Sequence, residues 1–299
     1  MQLEQASMIF RLFGVSMSVS LASILRAIAG IACLSFLDGA IKAVAHSYPT
    51  FQIVAMRFGI GTLLIIALLL VMRPGWPSWE TVRANALRSV FAVVTAVLFF
   101  YALGELPLAE VLVLTFLAPT FIAVLGILIL KERLDGRVII ALAVGFVGTG
   151  IVVFGQLGVS DGTRSLTGIV AALLAAASYS VSMVLLRARA QQDVLIHIVF
   201  MMHLGPALMS APFAFAVWVT PSWYHLIWFT IIGFLGLSGH YLIASAYKYV
   251  NAAKLAPLEY TAMVWAVLIG YVFFSEVPTL STFIGGAMII AGALVTSRR

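Results

Sequence analysis

Ten apolar runs divide the chain, and they constrain its fold more than any other feature. They fall at about 24–45, 50–72, 87–104, 109–130, 137–155, 167–187, 195–217, 225–246, 254–274 and 279–297. A helix crossing the hydrocarbon core of a bilayer needs about 20 apolar residues, and each run has about that length. Turn signals separate them, among them Ser47-Tyr48-Pro49, Pro74-Gly75-Trp76-Pro77, Asp135-Gly136 and Thr220-Pro221-Ser222. Composition agrees. Of the 299 residues, 63% are hydrophobic and 9% are charged, against about 25% charged in a soluble domain. Mean hydropathy is +1.13. A water-covered surface cannot be built from such material, and ten spans leave no room for a separate soluble domain. The expectation is an all-α polytopic membrane protein, with the lipid bilayer as its surroundings.

Charge sets the orientation. With an even number of spans both termini share one side. If that side is the cytoplasm, the inner segments hold 14 of the 17 basic residues, including Arg26, Arg73, Arg83, Arg88, Lys131, Arg133, Arg187 and Lys248. Only Arg164 falls in an outer loop, while Lys42 and Arg57 lie within spans. This positive-inside bias places both termini in the cytoplasm. It also accounts for the net charge of +6 without a nucleic-acid partner, because the basic residues stand singly between apolar runs. Residues 1–23 are open to three readings: a signal-peptide core, an interfacial helix or a cytoplasmic extension. No small-residue cleavage motif follows cleanly, so we assign the extension. The lone Cys33 has no second cysteine for a disulfide or a metal site.

The chain also repeats itself. Gly126-Ile-Leu-Ile-Leu-Lys-Glu132 matches Gly270-Tyr-Val-Phe-Phe-Ser-Glu276 at an offset of 144 residues, and the same offset carries Gly148 onto Gly292. Phe100-Tyr101 matches Ala246-Tyr247 with a two-residue slip. Each match falls at the equivalent place of its half, so the chain reads as two five-helix repeats, 24–155 and 166–299, joined by a linker at 156–165. Five is odd, so equivalent helices run in opposite directions. Inverted repeats are an architecture of secondary transporters, with a site near the midplane between the halves.

The stretch Phe100-Tyr101-Ala102-Leu103, Ala109 to Leu117, Pro119 and Gly126…Glu132 resembles the drug/metabolite transporter superfamily, and within it the EamA-type exporters. The pattern returns at Tyr247, Ala253, Pro257, Gly270 and Glu276, and Arg57 matches a basic position typical of these proteins. The resemblance implies solute export from the bacterial inner membrane, with the linker on the periplasmic side and amino acids or related metabolites as substrates. Among subgroups the chain is most similar to the exporter of aromatic amino acids. Met263 stands where a second Pro119 would fall, so the two copies differ at the site.

Charges inside a bilayer cost about 2.5–3.5 kcal/mol each on insertion scales, so each needs a reason. Asp38 and Lys42 are spaced i, i+4 and can face one another on one helix. Arg57 lies about 10 Å below the end of span two, at the depth of Asp38 in span one, which permits an ion pair between helices. These three charges either neutralise one another or bind a substrate carboxylate and amino group. His203 and His240 fall within spans seven and eight, where an imidazole either hydrogen-bonds a neighbouring helix or serves solute or proton. Tyr101, Tyr179, Tyr260 and Trp265 lie within spans and need polar partners. Pro119 frees a backbone carbonyl in span four, which is tolerated beside a cavity. The candidate substrate-binding set is therefore Asp38, Lys42, Arg57, Tyr101, Pro119, Tyr179, His203, His240, Tyr260 and Trp265. Trp76, Trp79, Trp218 and Trp223 read as interfacial belt residues, and Gly233-x-x-Gly236-x-x-Gly239 and Gly145-x-x-Gly148 as close helix contacts. Glu132 and Glu276 read as interfacial caps or partners of loop charges.

The chain holds no GxxxxGK[ST], HExxH or CxxC sequence, which removes ATP hydrolysis and the commoner zinc-protease and zinc-site chemistries. No cofactor, metal or obligate protein partner is implied, only a small-molecule substrate. The functional expectation is export of small amphipathic metabolites, most of all amino acids including aromatic ones, by alternating access. Two alternatives stand beside it: transport of another metabolite, such as a nucleotide-sugar or phosphorylated solute, and a membrane-embedded lipid enzyme.

Overall fold

The computed structural model describes residues 19–118, 121–122, 124–125, 136–157, 165–187, 193–247 and 261–297. The described residues form ten helices: α1 Val19–Ala45, α2 Thr50–Met72, α3 Trp79–Glu105, α4 Leu108–Thr115, α5 Gly136–Leu157, α6 Leu166–Arg187, α7 Leu195–Ala216, α8 Trp223–Tyr247, α9 Thr261–Phe274 and α10 Leu280–Ser297. Six of them contain segments long and apolar enough to cross a membrane: Ala22–Ala45, Thr50–Met72, Trp79–Glu105, Leu166–Leu185, Leu195–Ala216 and Trp223–Ala246. The chain is a multi-pass helical membrane protein. Two boundaries differ from the sequence reading. Helix α1 begins at Val19, inside the segment assigned to an extension, and α3 begins at Trp79, eight residues before the apolar run, because a cap and a polar stripe extend the helix.

Local chemistry explains the helix ends. Arg73 takes a left-handed conformation at φ 48° and donates its N–H to Leu69 O, closing α2, and Pro74 then prevents continuation. Ser78 caps α3 by accepting the Thr81 N–H at 3.2 Å, with Glu80 in the first turn favoured by the helix dipole. Pro107 separates α3 from α4 and stands at the α4 N-cap. Helix α7 holds Pro206 and Pro212 internally. Each removes a backbone donor, so each leaves a carbonyl one turn earlier without its usual partner.

The helices pair mainly across the two halves: α1 with α8, α3 with α6, α2 with α7, and α5 with α10. This pattern survives exchange of helix n with helix n + 5, which carries α1·α8 onto α6·α3 and α2·α8 onto α7·α3, and leaves α2·α7, α4·α9 and α5·α10 in place. Small residues permit the closest approaches. A Cβ on Gly239 of α8 would stand 3.0 Å from the Gly30 carbonyl oxygen of α1. One on Gly285 of α10 would stand 2.5 Å from the Gly148 carbonyl oxygen of α5 and would collide with Val152. A backbone oxygen cannot rotate aside, so Gly285→Leu is expected to destabilise the protein by about 1–3 kcal/mol, the range for overpacking. Thermal unfolding in detergent checks this, and an unchanged midpoint would show that α5 and α10 are not closely packed.

Candidate functional site

The charged and polar side chains of the interior gather where α2, α7 and α8 meet, flanked by α1 and α3. Arg57 of α2 is 6% exposed. Its guanidinium carbon lies 4.0 Å from the Phe58 ring centroid and 5.8 Å from that of Phe100 on α3, within range of a cation–π attraction. Helix α8 passes close to it at Gly236, where a Cβ would stand in ordinary contact, 3.5 Å, with both Nε and Nη2 and would crowd Leu37 of α1 at 2.9 Å. Neither Nε nor Nη1 of Arg57 has a hydrogen-bond partner. Asp38 of α1 acts on Arg57 electrostatically, but among the described residues the two form no ion pair at contact distance.

His203 of α7 is fully buried and lies against Gly61 of α2, where any Cβ would collide with the imidazole. Its Nδ1 is 2.9 Å from Val199 O. A carbonyl only accepts, so this contact assigns the proton to Nδ1 and leaves Nε2 as an acceptor without a partner. His240 of α8 meets it edge to face at 5.6 Å and 78°, with its own Nδ1 unpartnered. Phe58 closes the other side of His203 at 6.0 Å. Two imidazoles and one guanidinium thus present unpartnered nitrogens to a common interior region walled by aromatic rings.

The other sequence candidates lie elsewhere. Lys42 does not pair with Asp38. Its Nζ donates to Glu276 Oε1 at 2.9 Å, to Leu103 O at 3.0 Å and to Leu106 O. An ammonium has three donors, so all three are engaged. Glu276 Oε2 in turn accepts the Leu108 N–H at 2.9 Å. One ion pair therefore satisfies the last carbonyls of α3 and the first N–H of α4, and Glu276 does so from the α9–α10 junction. Tyr101, one residue beyond Phe100 and so turned about 100° around α3, is 38% exposed and lies 3.1 Å from Thr167 Oγ1 of α6. Tyr179 is equally exposed. Trp265 of α9 stands against Phe36 of α1 at 6.1 Å. Pro119 and Tyr260 lie outside the described residues.

The sequence reading missed a second polar system. Arg88, counted as a charge of the cytoplasmic side, is 3% exposed within α3. It donates from Nε to Asn85 Oδ1 at 3.0 Å, Asn85 donates to Thr81 O at 2.8 Å, and Thr81 Oγ1 donates to Asp193 Oδ1 at 2.8 Å. The signal was present: Thr81, Asn85, Arg88 and Ser89 stand at i, i+4, i+7 and i+8, one face of a helix. This stripe leads to a cleft of about 290 Å³ at the α2–α3 and α6–α7 junctions, lined by Trp76, Glu80, Thr81, Asp193 and His197 among others.

A multi-pass bundle, all-helical among the described residues, whose polar groups converge inside it defines the class, a membrane protein with an internal polar site. The chain belongs to the EamA-like transporter family, whose pattern matches it twice, over residues 21–154 and 166–298. It is 28% identical to the pseudopaline exporter CntI of Pseudomonas aeruginosa (strain UCBPP-PA14), over 93% of this chain and 96% of that one. It is 25% identical to the S-adenosylmethionine uptake transporter of Rickettsia prowazekii (strain Madrid E), over 87% and 89%. A solved protein structure shares the fold at a TM-score of 0.61 and 21% identity, over 93% of this chain and 96% of that chain. Membership of the transporter family agrees with the sequence reading. The narrower likeness to aromatic amino acid exporters finds no counterpart in these relatives, because short superfamily motifs mark the scaffold rather than the solute.

Proposed function

We propose that the protein exports small amphipathic metabolites, amino acids including aromatic ones, from the cytoplasm across the bacterial inner membrane by alternating access. The observation that carries this reading is the cluster of Arg57, His203 and His240, each of which has at least one buried nitrogen, Nε and Nη1 of Arg57, Nε2 of His203 and Nδ1 of His240, without a protein partner. A buried guanidinium without a contact carboxylate is costly, and an anionic solute group offsets that cost. Asp38 stands within electrostatic reach for an amino group. Phe58 and Phe100 beside Arg57 suit an apolar side chain. Tyr101, Tyr179, Pro119, Tyr260 and Trp265 would contact the solute elsewhere along its path, apart from this cluster. Lys42, with its donors engaged, would hold the helix ends together.

Ten spans in two inverted repeats, 24–155 and 166–299, joined by a periplasmic linker at 156–165 and with both termini cytoplasmic, complete the proposal. The pairing of helices that persists when the halves are exchanged supports the repeat, and the doubled family match points the same way. An odd number of helices per repeat inverts one half relative to the other, so exchange of their conformations moves the opening across the membrane.

Uptake of labelled phenylalanine or tryptophan into proteoliposomes holding the purified protein tests this reading, with and without a pH gradient. Saturable uptake competed by other amino acids is the expected result. Uptake no greater than in protein-free vesicles, with the fold verified, would overturn the amino acid assignment.

A further inference from the structure

Arg88 is the buried charge that the reading above leaves unused, and it stands beside the same cluster. On α7, Gly205 admits Ser89 of α3, since a Cβ at Gly205 would collide with the Ser89 side chain. Two residues earlier on α7, His203 is held against Gly61 of α2. Helix α3 therefore brings Arg88 to the level of His203, while α2 carries Arg57 about one turn further along the bundle. Both guanidiniums act electrostatically on His203 and on His240.

The two arginines share a second property. Arg88 spends Nε on Asn85, but its Nη2 is buried without a partner, as are Nε and Nη1 of Arg57. Asp193 attracts Arg88 from a distance while accepting the Thr81 hydroxyl. Among the described residues neither guanidinium has a carboxylate at ion-pair distance. A guanidinium remains charged in any protein setting, so each presents an unanswered positive group to the interior. The pair lies on adjacent helices, whose axes pack about 8–10 Å apart. Set on two helices and about one turn apart in level, they offer separate free donors, Nε and Nη1 of Arg57 and Nη2 of Arg88, enough for two carboxylates.

We propose that Arg88 is a second anion-binding group of the transport site, so that the preferred solutes carry an amino group and two carboxylates several bonds apart. This rests on the transporter reading and narrows its substrate class. Arg57 takes one carboxylate and Arg88 the other. The Thr81–Asn85 stripe leads from the cleft at the α2–α3 junction to Arg88, which makes Arg88 the first of the two that a solute entering from that cleft meets.

The test compares 2-aminoadipate with norleucine, amino acids of similar length that differ by a terminal carboxylate. Both compete against labelled phenylalanine in proteoliposomes of the full chain. The expected result is about tenfold stronger inhibition by 2-aminoadipate, the scale of one charge-assisted contact. In Arg88→Gln the ratio of the two half-inhibitory concentrations falls to about one, and Arg88→Lys restores part of it. A purely structural role would weaken both inhibitors equally and leave the ratio intact, which overturns the proposal. So does a wild-type protein that does not prefer the dicarboxylate. Asn85→Asp, which supplies Arg88 with a carboxylate at its existing Nε contact, keeps the test open if Arg88→Gln does not fold, and it also removes the preference. If phenylalanine is not transported at all, its assignment as a solute falls alone. Thermal unfolding then decides the inference: a shift with 2-aminoadipate but not with norleucine upholds it, and no difference overturns it.

Discussion

Arg57→Gln is expected to abolish saturable solute uptake while leaving the purified protein at least as stable as wild type. The two halves of this result have one cause. The guanidinium is 6% exposed, its Nε and Nη1 have no partner, and Asp38 reaches it only through space. Removing a buried charge that lacks a contact counter-ion relieves desolvation instead of breaking a bond, so the unfolding midpoint holds or rises. The same substitution removes the charge that a solute carboxylate meets. Truncating one member of a buried charge pair costs about 2–5 kcal/mol, and about 1.4 kcal/mol is a factor of ten, so uptake at a fixed solute concentration falls more than tenfold. Arg57→Lys keeps the charge but not the planar fork and is expected to lie between the two. Initial uptake rates beside thermal unfolding measure both halves. A glutamine variant that transports at the wild-type rate would remove Arg57 from the site.

Lys42→Met is expected to produce the opposite split, with stability lost first. Lys42 answers the Glu276 carboxylate and the Leu103 and Leu106 carbonyls at once, with side chains only 11% and 19% exposed across the ion pair. Methionine fills a similar volume but leaves all three acceptors unanswered, and Glu276 keeps only the Leu108 N–H. The expected loss is about 3 kcal/mol, between an orphaned hydrogen-bonding group and a broken buried ion pair. The double variant Lys42→Met with Glu276→Gln should recover part of it, because the amide is uncharged. The coupling energy from that cycle distinguishes a tight latch from an incidental surface pair. An unfolding midpoint that does not move in Lys42→Met would mean that α1, the α3–α4 junction and the α9–α10 junction are held by other contacts.

Lys42 also shows where reading from spacing stops. At i, i+4 from Asp38 it had a partner within its own helix, yet its ammonium serves the ends of other helices. The reason is the number and kind of acceptors. Two helix-terminal carbonyls and a carboxylate converge on Nζ, and no isolated helix displays that combination. His203 and His240 illustrate the same limit. Each was visible as a polar group in an apolar run, but only the collision space at Gly61 and the edge-to-face geometry show that they meet.

What the sequence by itself determined is the membrane-embedded, helical nature of the chain, the positions of the six long apolar spans and its family. Those properties follow from hydropathy along a line, because a backbone in hydrocarbon must satisfy its own hydrogen bonds within each segment. The tertiary structure alone decided which charges meet. Whether a side chain faces lipid, a neighbouring helix or the interior depends on the rotation of each helix about its axis and on its partner. Arg88 entered the interior because α3 turns its polar stripe toward α7 at Gly205. His203 lies against α2, the helix that carries Arg57, because Gly61 has no side chain to keep them apart. Those outcomes belong to pairs of helices, and no single span carries them.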